Sequence, residues 1–221
     1  MAKLDSEVIN SKINRSILKQ KRNNNLRYHL YLSTKRLLDI IVSVLGLILT
    51  LPIMLIVAIA IKIDTPGPII FKQSRLGLNG EEFIIYKFRS MVKNAEAETG
   101  PVWAKKNDPR ITKVGHFIRK RRIDELPQFL NILKGEMSLV GPRPERPVFI
   151  DKFSKNYTDF RDRLLIKPGI TGLAQVTGGY ELSPHQKVRL DIFYIKKRGL
   201  LLDIKVLLKT VLIIILGNGA R

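Results

Sequence analysis

The feature that most limits how this chain can fold is residues 40–61, a run without a charged side chain. At 1.5 Å per residue, a straight helix over this run would be about 33 Å long, which matches the hydrocarbon core of a bilayer. The run is too long and too uniformly apolar for the core helix of a soluble protein, and it begins too far into the chain for a signal peptide. It therefore predicts association with a membrane.

Pro52 lies near the middle of this run, where it removes a backbone hydrogen bond and clashes with the preceding turn. Spanning helices tolerate such a proline, so the residue fits both a helix that crosses the bilayer and one that bends back. Residues 18–36 contain six Lys/Arg and residues 62–81 contain three, a count that favours a cytoplasmic N-terminus and an external remainder. Because both flanks are basic, a bent helix with both flanks in the cytoplasm stays an alternative.

The charge of the chain indicates a polyanionic partner, because 39 Lys+Arg oppose 19 Asp+Glu for a net charge of +20. The partner that such an excess of positive charge would bind is nucleic acid, an anionic membrane surface or phosphorylated substrates. The chain has no cysteine, which excludes disulfides, thiolate metal sites and cysteine nucleophiles.

Residues 68–91 are typical of a β-hairpin that turns at residues 77–80. Alternation along the second strand places Lys87 and Arg89 on one face. These two cations are either solvated edge residues or ligands for phosphate.

Asp124 and Glu125 follow a cationic block at residues 119–122, with one isoleucine between them. Apolar residues with helical spacing, together with a proline tolerated only in a first turn, predict a helix that starts near Asp124 and ends at Gly135. Asp124 is then an ordinary N-cap, or it is a nucleophile in an anion-binding site. The nearby cations would keep its carboxylate ionised, and a carboxylate can attack phosphorus.

Three prolines within residues 138–147 exclude helix and regular strand, and stiffen a loop that holds Arg143 and Arg146. Guanidinium groups on such a loop suit bidentate capture of phosphate oxygens. Residues 167–176 are predicted to be a turn-rich loop. Charged residues interrupt the apolar C-terminal segment, residues 200–221, which favours a helix lying in the membrane interface.

The runs YKFRSM, RRIDELPQFLNILKGEMSLVGPRPERP, IKPGITGLAQVTG and LDIFYI occur in this order. Together they resemble the bacterial sugar transferase family, the monotopic phosphoglycosyl transferases, over roughly residues 35–216. The resemblance implies transfer of a sugar 1-phosphate from a UDP-sugar to polyprenyl (undecaprenyl) phosphate with release of UMP, through a covalent aspartyl-phosphosugar. It implies the first membrane step of exopolysaccharide, capsule or glycan synthesis, at the cytoplasmic face of the bacterial inner membrane.

The resemblance also assigns site residues. Asp124 is the expected nucleophile, Glu125 assists in metal binding or proton handling, and both are expected to hold Mg²⁺. Asp191 corresponds to a further site position. The expected phosphate ligands are Lys87, Arg89, Arg119, Arg143 and Arg146. Arg146 is included because of its place in the stiff loop, and the other four correspond to basic positions of the family.

The expected fold class is α+β and membrane-associated. It comprises a basic arm at residues 1–34, a re-entrant helix bent at Pro52 within residues 35–63, and a cytosolic-face catalytic domain at residues 64–221. That domain is expected to contain a small β-hairpin and several amphipathic interfacial helices around the active site. In the family a Ser-Pro pair forms the bend, whereas Leu51 precedes the proline here.

The alternative function is a non-catalytic basic adaptor or scaffold that binds anionic lipid or nucleic acid at the membrane. That function gives no reason for paired carboxylates among cations or for the stiff arginine loop. We therefore expect a UDP-sugar, polyprenyl phosphate and membrane lipid as partners, with a second copy of the chain as a further one, and no nucleic acid.

Overall fold

The structure is a computed structural model that describes residues 26–97, 99–102 and 108–216, so most of the predicted basic arm lies outside the described residues. Its mixture of helices and short strands agrees with the α+β class. In chain order the principal elements are α1 (Leu26–Asp64), β1 (Ile70–Leu76), β2 (Glu82–Phe88), α2 (Lys113–Lys120), α3 (Phe129–Lys134), β3 (Ser138–Val140), α4 (Pro147–Ser154), β4 (Gly169–Thr171), α5 (Leu173–Thr177), α6 (Pro184–Lys197) and α7 (Leu200–Leu216).

Helix α1 is 39 residues long and includes Pro52. By length and composition it can cross a membrane. Pro52 cannot donate to the carbonyl four residues earlier. Close to it, the Thr50 hydroxyl donates to the Gly46 carbonyl at 2.6 Å, a side-chain bond of the kind that bends helices.

One face of α1 lies along the rest of the protein. Asp39 accepts hydrogen bonds from the Ser138 hydroxyl at 3.1 Å and from the Leu139 N–H at 2.9 Å. Further along the same face, a Cβ on Gly46 would lie 2.9 Å from the Phe129 ring, and Ile61 is buried. The opposite face exposes leucine, isoleucine and valine side chains over most of the helix length.

The predicted β-hairpin is confirmed. Strands β1 and β2 pair antiparallel, with Phe71 opposite Lys87. Asn79 and Gly80 adopt positive φ angles of 57° and 83° in the turn, and Asn and Gly are the residues that tolerate this conformation best. On β2, Phe83 is buried and Lys87 is half-buried.

Two segments predicted to be loops contain regular structure, so those predictions are wrong. Ser138–Val140 pairs in parallel with Gly169–Thr171, because this strand and Gly141 precede the first proline and keep their N–H groups. Helix α4 begins at Pro147, where a missing N–H costs nothing. The strands approach closely where a Cβ on Gly169 would lie 2.1 Å from the Gly141 nitrogen.

The largest core cluster joins the hairpin to α3, β3, α6 and α7. Its buried members are Phe83, Ile85, Ile132, Met137, Leu139, Val140, Tyr194 and Val206. Asp203 of α7 ties three helices together, because it accepts hydrogen bonds from Tyr194 at 2.6 Å, Tyr31 at 3.0 Å and Lys35 at 2.9 Å. The other face of α7 exposes apolar side chains, in keeping with the amphipathic helix predicted there.

Candidate active site

The paired carboxylates lie at the start of a tight helical turn. Ile123–Gln128 is a 3₁₀-helix that leads into α3, and Arg122 occupies the N-cap position with a left-handed φ of 57°. Asp124 is therefore not the N-cap, and that prediction is wrong, because the turn has its N-cap two residues earlier than predicted, at Arg122. Gly135 ends α3 with a φ of 85°, as predicted.

A cavity of about 590 Å³ opens beside this turn, which is within the range of small-molecule sites. Its lining includes the two carboxylates and all five predicted phosphate ligands, namely Asp124, Glu125, Lys87, Arg89, Arg119, Arg143 and Arg146. Four separate segments supply these residues, so the fold brings together what the sequence holds far apart. Asp191 is not part of the lining.

Glu125 is held by three cations. Its Oε1 accepts from Lys87 Nζ at 3.0 Å and from Arg143 Nη2 at 2.7 Å, and Arg122 Nη1 lies 3.7 Å from Oε2. Burial alone would raise the pKa of Glu125, but Arg143, Lys87 and Arg122 together hold that pKa well below its ordinary value. Glu125 is therefore an ionised anchor that fixes the positions of the cations around it.

Asp124 is buried beside this anchor. Burial raises its pKa above the ordinary value, the charge of Glu125 raises it further, and Lys87, Arg119 and Arg143 only partly oppose the rise. The neighbouring cations therefore do not set the direction of this pKa shift, as the sequence suggested, because burial, which the sequence does not reveal, outweighs them. Once ionised, such a carboxylate is more basic, and so more nucleophilic, than one in water.

Asp191 lies outside the cavity and contacts it only through another residue. It is fully buried and accepts a hydrogen bond at 2.8 Å from Arg163 Nε, and Arg163 Nη2 donates to the Arg143 carbonyl at 3.1 Å. This chain of contacts fixes the backbone of the residue that bonds Glu125. Asp191 is therefore a positioning residue in this geometry.

Two further predicted phosphate ligands, besides Lys87 and Arg143, also have protein partners. Arg89 donates to the carbonyl oxygens of Ile61, Thr65 and Pro66 at 3.3, 2.7 and 2.6 Å, and so closes the C-terminal end of α1. Arg146 Nη1 lies 2.6 Å from Glu96 Oε1. Both residues line the cavity, and their binding of phosphate stays a prediction.

Sequence reasoning missed three residues of this arrangement. Arg122 belongs to the cationic block, but its contact with Glu125 depends on the left-handed turn. Arg163 carries no local signal, because its partners lie 20 and 28 residues away. Glu145 lines the cavity and lies 3.8 Å from Arg75. The sequence prediction for the stiff loop considered only its two arginines and not this glutamate.

The carboxylate pair fits a hard divalent cation. Across the part of the chain that the structure describes, no group of three or more His, Cys, Asp or Glu side chains converges. Mg²⁺ usually takes one or two carboxylates and fills its other positions with substrate phosphates and water. Because Glu125 Oε1 already accepts from two cations, Asp124 is the more available ligand of the pair.

The fold and site define a class: a membrane-associated protein with a cation-lined cavity built around two adjacent carboxylates. Residues 30–217 match the family model described as bacterial sugar transferase. The chain belongs to this family.

Three relatives illustrate the similarity. UDP-N-acetylgalactosamine-undecaprenyl-phosphate N-acetylgalactosaminephosphotransferase of Aeromonas hydrophila is 45% identical over 195 residues, covering 87% of this chain and 46% of that protein. UDP-glucose:undecaprenyl-phosphate glucose-1-phosphate transferase of Escherichia coli (strain K12) is 40% identical over 182 residues, covering 80% and 39%. The protein with the same name from Caulobacter vibrioides is 43% identical over 184 residues, covering 80% and 68%. The chain spans less than half the length of the first two relatives.

Proposed function

We propose that this protein transfers a sugar 1-phosphate from a UDP-sugar to undecaprenyl phosphate and releases UMP. This reaction would be the first membrane step in the synthesis of an exopolysaccharide, capsule or other glycan. The observation that carries the proposal is the Asp124–Glu125 pair at the wall of a cavity lined by cations from several separate segments. The names of the relatives, which specify undecaprenyl phosphate and UDP-sugars, agree with it.

In the first half-reaction an Asp124 carboxylate oxygen attacks the phosphorus that carries the sugar. A bond forms between that oxygen and phosphorus, and the bond from phosphorus to the bridging oxygen of the diphosphate breaks. The electron pair leaves with UMP, whose phosphate needs no proton to depart at neutral pH. Lys87, Arg119 and Arg143 surround Asp124 electrostatically, and fixed cations of this kind stabilise charge that develops on phosphoryl oxygens.

In the second half-reaction a phosphate oxygen of the lipid attacks the same phosphorus. The bond between that phosphorus and Asp124 breaks, the carboxylate is regenerated, and a polyprenyl diphosphate sugar is released. Splitting the transfer in this way lets one cavity accept the two anionic substrates in turn. Glu125, which is already ionised and paired, maintains the cationic wall through both steps.

Mg²⁺ would be held by Asp124 and Glu125 together with the diphosphate of the donor. When bound, it would neutralise phosphate charge and orient the donor. The support for this metal is the oxygen-only donor set and the number of carboxylates, as described above.

A re-entrant path for α1, bent at Pro52, is part of this proposal. Asp39 bonds the Leu139 N–H at 2.9 Å, and Asp64 bonds the Val114 N–H at 3.1 Å. A helix that crossed the bilayer between these two aspartates would place them on opposite sides, although both contact the same folded body. Their contacts favour two flanks on one side, and nucleotide sugars require that side to be the cytoplasm.

The topology is tested with single cysteines, which are informative because the chain has none of its own. Leu26→Cys and Lys62→Cys introduce thiols at exposed positions that flank the apolar run. In intact cells a membrane-impermeant maleimide should label neither, and in inverted membrane vesicles it should label both. Labelling of one of the two positions in intact cells would contradict the re-entrant path.

The activity is tested by UMP release from purified protein with Mg²⁺, undecaprenyl phosphate and a panel of UDP-sugars that includes UDP-N-acetylgalactosamine and UDP-glucose. Asp124→Asn should abolish release, because an amide is not a nucleophile toward phosphorus. Asp151→Asn is the matched control, since Asp151 is an exposed aspartate whose partner Arg161 is also exposed. Full activity in the Asp124 variant would refute the assigned nucleophile.

A further inference from the structure

The cavity has apolar lining residues that its phosphate chemistry does not explain. Five of them, called here the apolar side, are Pro68, Phe71, Met91, Val92 and Val102. Phe71 and Val92 are 41% and 43% exposed. Exposed apolar side chains grouped in a cavity mark a binding surface more often than isolated ones do.

The apolar side begins directly next to the carboxylate pair. Phe71 lies opposite Lys87 in the hairpin register, so the two side chains are neighbours on one face of the sheet. Lys87 Nζ in turn lies 3.0 Å from Glu125 Oε1. If the phosphate of a ligand lies at these cations, the group attached to that phosphate would therefore contact Phe71.

The apolar side also lies at the end of the membrane helix. Pro68 follows the last residue of α1 by four positions. On the other face of the hairpin, Phe88 packs in one cluster with Val57 and Ile61 of α1. Arg89 holds the connecting segment through the Pro66 carbonyl at 2.6 Å. Apolar lining residues of the cavity thus lie close to the end of α1, alongside Arg89.

We propose that Phe71 and Val92, with Pro68 and Met91, form the wall that receives the first isoprenoid units of the lipid acceptor and directs its phosphate to Asp124. This inference rests on the proposed function and adds the acceptor subsite to it. The chemistry of the wall matches an isoprenoid, which is apolar and mostly aliphatic, as are three of these four side chains. The position of the wall at the end of α1 favours a ligand that arrives from the bilayer.

The other group that an apolar wall can bind is the uracil ring of the donor, and the experiment separates the two. Phe71→Ser and Val92→Ser are compared with Phe193→Ser, which removes a phenylalanine of similar exposure, 52%, from outside this cavity. Because the substituted side chains are exposed, the variants should fold. Phe71→Leu tests rescue by a different apolar group.

Two rates are measured for each variant. The first is the stoichiometric burst of UMP without acceptor, and the second is the dependence of turnover on undecaprenyl phosphate in vesicles. Phe71→Ser should raise the acceptor KM about tenfold, equivalent to about 1.4 kcal/mol, and change the burst rate less than twofold. Phe71→Leu should restore most of the acceptor affinity, Phe193→Ser should resemble the parent protein, and methyl phosphate, which lacks a tail, should be used equally by all.

Three results would overturn the inference. A Phe71→Ser variant with a slower burst or a raised donor KM would show that the wall binds the nucleotide base. An unchanged acceptor KM would show that the lipid does not contact this wall. A parent protein that releases no UMP with any donor in the complete reaction would reject the proposed function itself, and the inference with it.

Discussion

Replacing Asp191 by asparagine removes one charge from a deeply buried ion pair. The Asp191 and Arg163 side chains are 2% and 4% exposed, and their contact is 2.8 Å long. Asparagine leaves the Arg163 guanidinium buried without a counter-charge, and losses of this kind cost about 3–5 kcal/mol. For a chain of this length, about 2–4 °C per kcal/mol gives a fall in Tm of roughly 6–20 °C.

The same structure predicts that the pair itself is not the source of stability. Both side chains are almost fully buried, so the cost of desolvating the two charges offsets much of the attraction between them. The double variant Asp191→Leu with Arg163→Met should therefore recover most of the lost stability, because it removes both buried charges together. Activity should not recover, because the Arg143 carbonyl loses its bond from Arg163.

Thermal unfolding of the parent protein and the variants in one detergent measures the first effect, and UMP release measures the second. A positioning role predicts that turnover falls more than donor binding, since Arg143 still reaches the cavity with its own side chain. An Asp191→Asn variant with unchanged Tm would refute the ion-pair reasoning. A double variant with full activity would refute the positioning role.

Asp124→Asn should raise Tm at neutral pH while it abolishes activity. The raised pKa of Asp124 means that the folded state is destabilised when the carboxylate ionises, and asparagine carries no such charge. A lower Tm at pH 7 would contradict this prediction. Glu125→Gln should lower the free energy of unfolding by about 3–5 kcal/mol at pH 7. The folded-state pKa of Glu125 is held below the ordinary value of 4.5, so its contribution to stability is lost as the pH falls, and the gap between parent and variant should narrow below pH 4.5. Melting curves recorded from pH 7 downward measure this gap. The Arg36 guanidinium donates to the Ile132 and Leu133 carbonyls at 2.6 and 2.9 Å. Arg36→Ala should therefore lower the free energy of unfolding by about 1.5–3 kcal/mol for each of these two charged hydrogen bonds. An unchanged Tm would contradict this prediction.

Local patterns in the sequence were sufficient for the elements whose partners are close in the chain. The hairpin was predictable because strand alternation and the glycine-containing turn lie within about twenty residues of each other. The end of α3 at Gly135 was predictable because a positive φ there requires a residue such as glycine.

Structure that depends on distant contacts was not predictable in the same way. The β3–β4 pair joins Ser138 to Gly169, and nothing near either residue indicates its partner. The pKa of Asp124 was expected to follow the neighbouring cations, but burial, which only the fold determines, outweighs them. The contact of Asp191 with Arg163 likewise becomes visible only when α6 packs against residues 158–165.

The central claim is that Asp124 carries the sugar phosphate as a covalent intermediate. Intact mass is measured after the protein is incubated with Mg²⁺ and a UDP-sugar donor that supports UMP release, in the absence of lipid acceptor. The expected result is a mass increase of one phosphosugar, located on Asp124, absent from Asp124→Asn, and removed by undecaprenyl phosphate. Turnover in the complete reaction by a protein whose mass never changes with donor alone would contradict it and indicate direct transfer between the two substrates.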